Sequence, residues 1–175
     1  MTVDLRYLAF PKGRKLVYLA LLASVGLILF IFEGMLPRPF PWMKIGLGNV
    51  VSLLALFMFG AGGACAVTGI RVVLGSLLVG TFLSPTFLLS AGGAAASWAV
   101  MALVHRTWPR SFGVVGVSVW GAWAHNVTQL SLAYLLLVRS RGIWALFPIF
   151  LLSSVATGLV TGVAAYGMLE RLKRE

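Results

Sequence analysis

One arginine, Arg71, stands inside a 38-residue apolar stretch from Ile45 to Phe82 that is otherwise broken only by Asn49. In a membrane-crossing segment such a charge costs at least about 2.5 to 3.5 kcal/mol near the bilayer centre, so it must face a bundle interior and meet a partner or a ligand. Its planar guanidinium suits a carboxylate or phosphate, which it binds through two parallel hydrogen bonds. Glu33 is the one acid in a neighbouring apolar run and an obvious partner. Counting depth linearly at 1.5 Å per residue, however, sets it about 10 to 12 Å nearer the outer end than Arg71.

A second polar group is His125-Asn126-Val127-Thr128-Gln129. His125 and Gln129 are four apart and Asn126 and Gln129 three apart, which predicts one shared polar face near the depth of Arg71. Two readings stay open. These groups orient a ligand, or they are interhelical hydrogen bonds of about 0.6 to 2 kcal/mol that only hold helices together. Other chemistry finds no constellation. Two histidines and the single Cys65 make no ligand set with metal-site spacing, and no metal or cofactor is expected. Nor do nucleophile, base and orienting acid occur together.

The elements that must position these residues are membrane helices. Of 175 residues 60% are hydrophobic and 10% charged, with mean hydropathy +0.99, which excludes both an ordinary soluble domain and disorder. A span needs about 20 apolar residues, so six spans leave no room for a separate soluble domain. The first runs from Leu16 to Leu36 and stops at Pro37, Pro39 and Pro41. The stretch 45–82 would make about 57 Å of straight helix and must fold back, most cheaply at Gly60-Ala61-Gly62-Gly63, giving spans near 45–60 and 64–82. Ser84-Pro85 opens a fourth span ending at His105, a fifth covers about 112–137, and a sixth runs from Ile143 to about Leu169. The expected organisation is an N-terminal cytoplasmic segment 1–15, an all-α transmembrane domain 16–169, and a basic tail 170–175.

Charge sets the orientation. With both termini on one side, that side holds Arg6, Lys12, Arg14, Lys15, Arg106, Arg110, Arg171, Lys173 and Arg174, against Arg38, Lys44, Arg139 and Arg141 on the other. Nine against four places both termini in the cytoplasm of a multi-pass cell-membrane protein. The net charge of +10 therefore reports loops and lipid headgroups, and no nucleic-acid partner is expected. On the first span, Ala20 and Ser24 are four apart and Ala23 and Gly26 three apart, a small-residue seam able to dock another helix. The outer loop Pro37-Arg38-Pro39-Phe40-Pro41-Trp42-Met43-Lys44 adds two cations that, with Arg71, Arg139 and Arg141, focus positive potential over one mouth. That field suits an anionic small molecule.

Several strings together resemble a known membrane family: Pro41-Trp-Met-Lys-Ile-Gly-Leu-Gly-Asn49, Arg71-Val-Val-Leu-Gly-Ser-Leu-Leu-Val-Gly-Thr81, Ser84-Pro85, Ser90-Ala-Gly-Gly93, and Gly116-Val-Ser-Val-Trp-Gly-Ala-Trp-Ala-His-Asn126 with Gln129. The family is the Gx transporters, also labelled heptaprenyl diphosphate synthase component I, and the likeness covers about residues 16–169. It is in turn similar to the S components of energy-coupling factor transporters, six-helix proteins that hold a vitamin or similar solute near the outer face. The resemblance implies that the Ala20 to Ser24 seam meets a transmembrane coupling subunit that works with ATPases, although Ser24 departs from the usual Ala-xxx-Ala form. It also implies an alternative, because family members are associated with FMN-binding proteins: a membrane subunit of flavin or quinone electron transfer, or of a prenyl diphosphate (menaquinone) pathway. Prenyl transfer itself is not expected, since it relies on clustered aspartates that hold Mg²⁺ and this chain has one, Asp4.

The expected function is thus a non-enzymatic membrane subunit that binds a small anionic or amphipathic solute. Its site lies between the outer loop and mid-membrane. Arg71 is the buried cation, Asn126 and Gln129 orient, His125 and Asn49 stand beside them, Glu33 accompanies Arg71, and Lys44 guards the mouth.

Overall fold

The computed structural model describes residues 11–35 and 46–174. Among these there are helices and no strands: α1 Lys12–Met35, α2 Asn49–Leu78, α3 Pro85–Thr107, α4 Val114–Ala133 and α5 Phe147–Arg174. A π-helical turn, Tyr134–Val138, extends α4, and a 3-10 helix, Arg141–Leu146, leads into α5. The outer loop, with Lys44 and Trp42, lies outside the described residues, as does most of the N-terminal segment.

Among the described residues, four elements are long and apolar enough to cross a membrane: Gly13–Met35, Asn49–Leu78, Pro85–Thr107 and Arg141–Arg174. Helix α4 falls outside that set because His125, Asn126 and Gln129 lower the hydropathy of its 20 residues. The outward faces are lipid-like. On α1, Leu16, Leu21, Ile28 and Phe32 are exposed, and on α5 Leu152, Val160 and Val163. Only lipid or another apolar protein surface can cover side chains of this kind at such density.

Helix α2 is two helical arms that meet at a sharp bend. At Gly60 the backbone takes φ 77° and ψ −174°, a conformation that residues with a Cβ rarely adopt. The two arms then lie side by side. Thr68 Oγ1 donates to Ser52 Oγ at 2.8 Å, and an Arg71 Nη atom donates to Asn49 Oδ1 at 3.2 Å. A straight helix would hold those pairs roughly 24 and 33 Å apart. The fold-back expected across four residues is therefore made by Gly60 alone, with no intervening loop. The first arm, 49–59, is only about 16 Å long, half of the hydrocarbon thickness of about 30 Å. Its residues from Val50 to Met58 are buried on every side, so it serves as the central post of the bundle.

Around that post the helices approach through small residues. A Cβ on Gly158 would lie 2.6 Å from the Val119 Cα, and one on Gly162 would lie 2.8 Å from the Val115 Cα. These two glycines, four apart, bring α5 into backbone contact with α4, and a Ser118–Thr161 hydroxyl hydrogen bond of 2.8 Å sits beside them. Ser84 caps α3, its hydroxyl accepting from the Phe87 N–H at 3.3 Å, with Pro85 at the first helical position as the sequence predicts. One apolar cluster joins the start of α1, the Gly60 bend, the end of α3 and the end of α5. A smaller one, with Leu89, Leu130, Ile143 and Phe150, closes the other end.

Candidate functional site

The short first arm of α2 ends halfway up the bundle, and this sets the depth of the site. Gly46, Leu47 and Gly48 lead into Asn49 at the level of Arg71. The guanidinium packs on the backbone of Gly48, where a Cβ would stand 1.8 Å from an Arg71 Nη atom. Its stem passes along α1 at Gly26, whose Cβ would stand 3.3 Å from Arg71 Cδ. Glycine at both positions is what lets a long cationic side chain lie flat between two backbones.

Arg71 is 5% exposed and Glu33 4%. Both line a cavity of about 20 Å³ together with Asn49, Ser90 and His125, and the Glu33 carboxylate acts electrostatically on Arg71. The depth offset of about 10 Å stands, because the Arg71 stem lies beside Gly26, seven residues before Glu33, and the length of the arginine side chain brings its head group into the cavity that Glu33 also lines. The carboxylate also accepts the backbone N–H of Gly46, tying the end of α1 to the segment above the guanidinium.

A second cavity, about 10 Å³, adjoins the first and shares Gly46, Asn49 and His125 with it. Its far wall holds Asn126, Thr157 and Thr161. Each cavity is of the size that takes about one water molecule, so a solute of several atoms requires the Gly46–Asn49 segment or the Arg71 side chain to move.

The polar residues of α4 divide between two neighbours. Asn126 turns to α5, where its Nδ2 donates to Ser154 Oγ at 2.9 Å and to the Phe150 carbonyl and Ser153 Oγ at 3.2 Å. His125 and Gln129 turn to α3, over Gly93, where a Cβ would meet each at about 3.0 Å. The single polar face read from the three-and-four spacing is therefore two faces, and Gln129 lines neither cavity. Both Gln129 amide atoms, Arg71 Nε and Ser97 Oγ are buried and have no hydrogen-bond partner among the described residues. Ala20 and Ser24 are exposed on the outer side of α1, Ser24 Oγ returning its hydrogen bond to the Ala20 carbonyl at 2.9 Å. Ala23 and Gly26 face inward against α2. The two small-residue pairs of α1 thus serve different surfaces.

Several contributors escape a reading of polar residues alone. Gly48 and Gly26 announce nothing in an apolar run rich in glycine. Thr157 and Thr161 carry a legible signal, four apart on one face, as do Gly158 and Gly162.

The fold, an all-helical bundle with a charged group buried at half depth, defines an integral membrane protein with an interior polar site. The sequence profile of the family described as heptaprenyl diphosphate synthase component I matches residues 22–168, and the chain belongs to that family. Its fold is similar to a solved S component of a bacterial ECF transporter, with a TM-score of 0.65 and 19% identity over 94% of this chain and 98% of the other. No curated protein matches the chain. The structural likeness is thus to a transporter component and not to an enzyme, although the family's description carries the word synthase.

Proposed function

We propose that the chain is the substrate-binding subunit of a cell-membrane transport system, resembling an S component, and that it takes a small anionic or amphipathic solute. One observation carries the reading. A buried arginine has no partner for its Nε among the described residues, while its head group lies over glycine backbone beside two joined cavities. An unsatisfied buried donor typically costs about 1 to 3 kcal/mol, and on a full charge that lines a cavity, as Arg71 does and Gln129 does not, a ligand can recover that cost.

In this reading Arg71 binds the solute's carboxylate or phosphate through its fork. Asn49 and Glu33 hold the guanidinium in place, and His125 forms the wall between the cavities. Asn126 contributes through its carbonyl oxygen, since its amide nitrogen is committed to α5. Gln129 stands behind His125, and the charge of Lys44, which lies outside the described residues, adds to the positive potential that attracts an anion. Counting the arms of α2 separately gives six membrane helices, which leaves both termini on the cytoplasmic side in agreement with the charge bias. The exposed Ala20–Ser24 strip then faces a transmembrane coupling subunit, which with its ATPases supplies the energy. This chain has no phosphate-binding G-x-x-x-x-G-K-[ST] loop of its own.

The test is a mass-spectrometric survey of small molecules that copurify with the full chain in lipid nanodiscs. An anionic solute present in wild type and depleted in Arg71→Lys supports the proposal. A stoichiometric flavin or haem spectrum would replace it with the electron-transfer alternative.

A further inference from the structure

At the opposite end of the bundle from Arg71, a groove of about 960 Å³ opens where α1 begins, α2 bends and α3 ends. Its walls are apolar, with Leu56, Phe57, Phe59, Trp98 and Leu103 among them. Trp98 is fixed as a wall, its indole N–H donating to the Ala61 carbonyl at 2.9 Å across the bend. Phe57 stacks at 4.5 Å on His105, which joins the apolar wall to the polar rim. That rim carries Lys15 from α1 and Arg106 from α3, both exposed, and no carboxylate of the described residues lines the groove. Of the two acids in the described residues, Glu33 belongs to the other end of the bundle, and Glu170 binds the Tyr166 hydroxyl and faces Arg174.

An apolar trough with two cations and, among the described residues, no anion at its lip matches a molecule that is hydrocarbon at one end and negatively charged at the other. Basic end residues put the lip at the depth of lipid headgroups, where such molecules are the surrounding solvent. We propose that this groove holds one anionic phospholipid, its phosphate engaged by Lys15 and Arg106 and an acyl chain laid against Phe57, Trp98 and Leu103. The site is separate from the Arg71 cavities, and neither depends on the other.

The full chain in a neutral detergent is titrated with phosphatidylglycerol and with phosphatidylcholine of matched chains, and bound lipid is counted by native mass spectrometry. Wild type should retain one phosphatidylglycerol roughly tenfold more strongly than phosphatidylcholine, as two cations near a headgroup provide. Lys15→Gln with Arg106→Gln should abolish that preference, whereas Arg171→Gln with Lys173→Gln, which removes equal charge outside the groove, should keep it. Ala99→Phe fills the trough from an exposed position and should lower retention of both lipids, so it carries the test if the rim variant fails to fold. Equal loss from both charge pairs, full retention by Ala99→Phe, or release of the lipid by millimolar inorganic phosphate would overturn the proposal. So would stoichiometric displacement of the lipid by a coexpressed ATPase-bearing module, which would make the groove a protein interface.

Discussion

The α1–α2 side and the α4–α5 side of the bundle bury polar groups by opposite means. Between α4 and α5 every element fits. Glycines 158 and 162 bring the backbones together, Ser118 pairs with Thr161, and the amide nitrogen of Asn126 has three acceptors on α5. Between α1 and α2 a full charge is buried, its Nε has no partner among the described residues, and its head group rests on glycine backbone. Packing of the first kind holds helices together and needs nothing more. The second kind leaves hydrogen-bonding capacity in the interior, which is what a binding site requires and a glue contact does not.

The largest effect that separates the two sides is expected from Arg71→Ala. It removes the cation that acts on buried Glu33 and empties the space beside Gly26 and Gly48, and losing a large buried side chain typically costs about 2 to 5 kcal/mol, so both the melting temperature and the copurified solute should fall. Next comes Gly158→Ala on the other side, where the added Cβ meets backbone at 2.6 Å. Overpacking of that kind costs about 1 to 3 kcal/mol, and the melting temperature should drop while any solute bound per folded molecule stays constant.

Gly48→Ala sharpens the comparison, because there the obstacle is the tip of the flexible Arg71 side chain and not backbone. The guanidinium should be pushed off Asn49 at a cost of about 1.5 to 3 kcal/mol, the scale of one hydrogen bond to a charged group, leaving a folded protein that retains little solute. A Gly48→Ala variant that melts like Gly158→Ala and still binds would show that the two sides do not differ in kind. Asn126→Ala, which deletes interhelical hydrogen bonds, should lower stability by roughly 1 kcal/mol and solute retention less than Gly48→Ala does. The smallest effect on the isolated chain belongs to Ala20→Leu. Its position is exposed, so stability should be unchanged while capture by a coupling subunit is lost in a pull-down.

Much of the fold is legible in the residues because a membrane helix is written in hydropathy and stopped by proline and glycine. Leu16 to Leu36 predicts α1, Ser84-Pro85 predicts the start of α3, and the glycines near 60 predict where the long apolar stretch reverses. What hydropathy does not carry is the unequal length of the two α2 arms. That length depends on how deep Gly46 to Asn49 sink, which their interaction with Arg71 and Glu33 decides. The candidate site was legible in its charges, since buried Arg71 and Glu33 are conspicuous in an apolar chain. The direction of each polar group was not. Asn126 and Gln129 are three apart, yet the crossing of α3 and α5 on either side of α4 sends one to each neighbour. Gly26 and Gly48 matter only because a side chain distant in sequence comes to lie on them.

The central claim is that Arg71 binds a solute and does not merely join helices, and Arg71→Lys tests it most directly. Lysine keeps the charge facing Glu33 but lacks the planar fork. Copurified solute and melting temperature should be measured on the same nanodisc preparations of wild type and variant. The account predicts an anionic solute depleted at least about tenfold, the loss of one charged hydrogen bond or more, with the melting temperature within about 2 °C of wild type. Unchanged solute content in Arg71→Lys, or a fall in melting temperature with solute per folded molecule preserved, would contradict it.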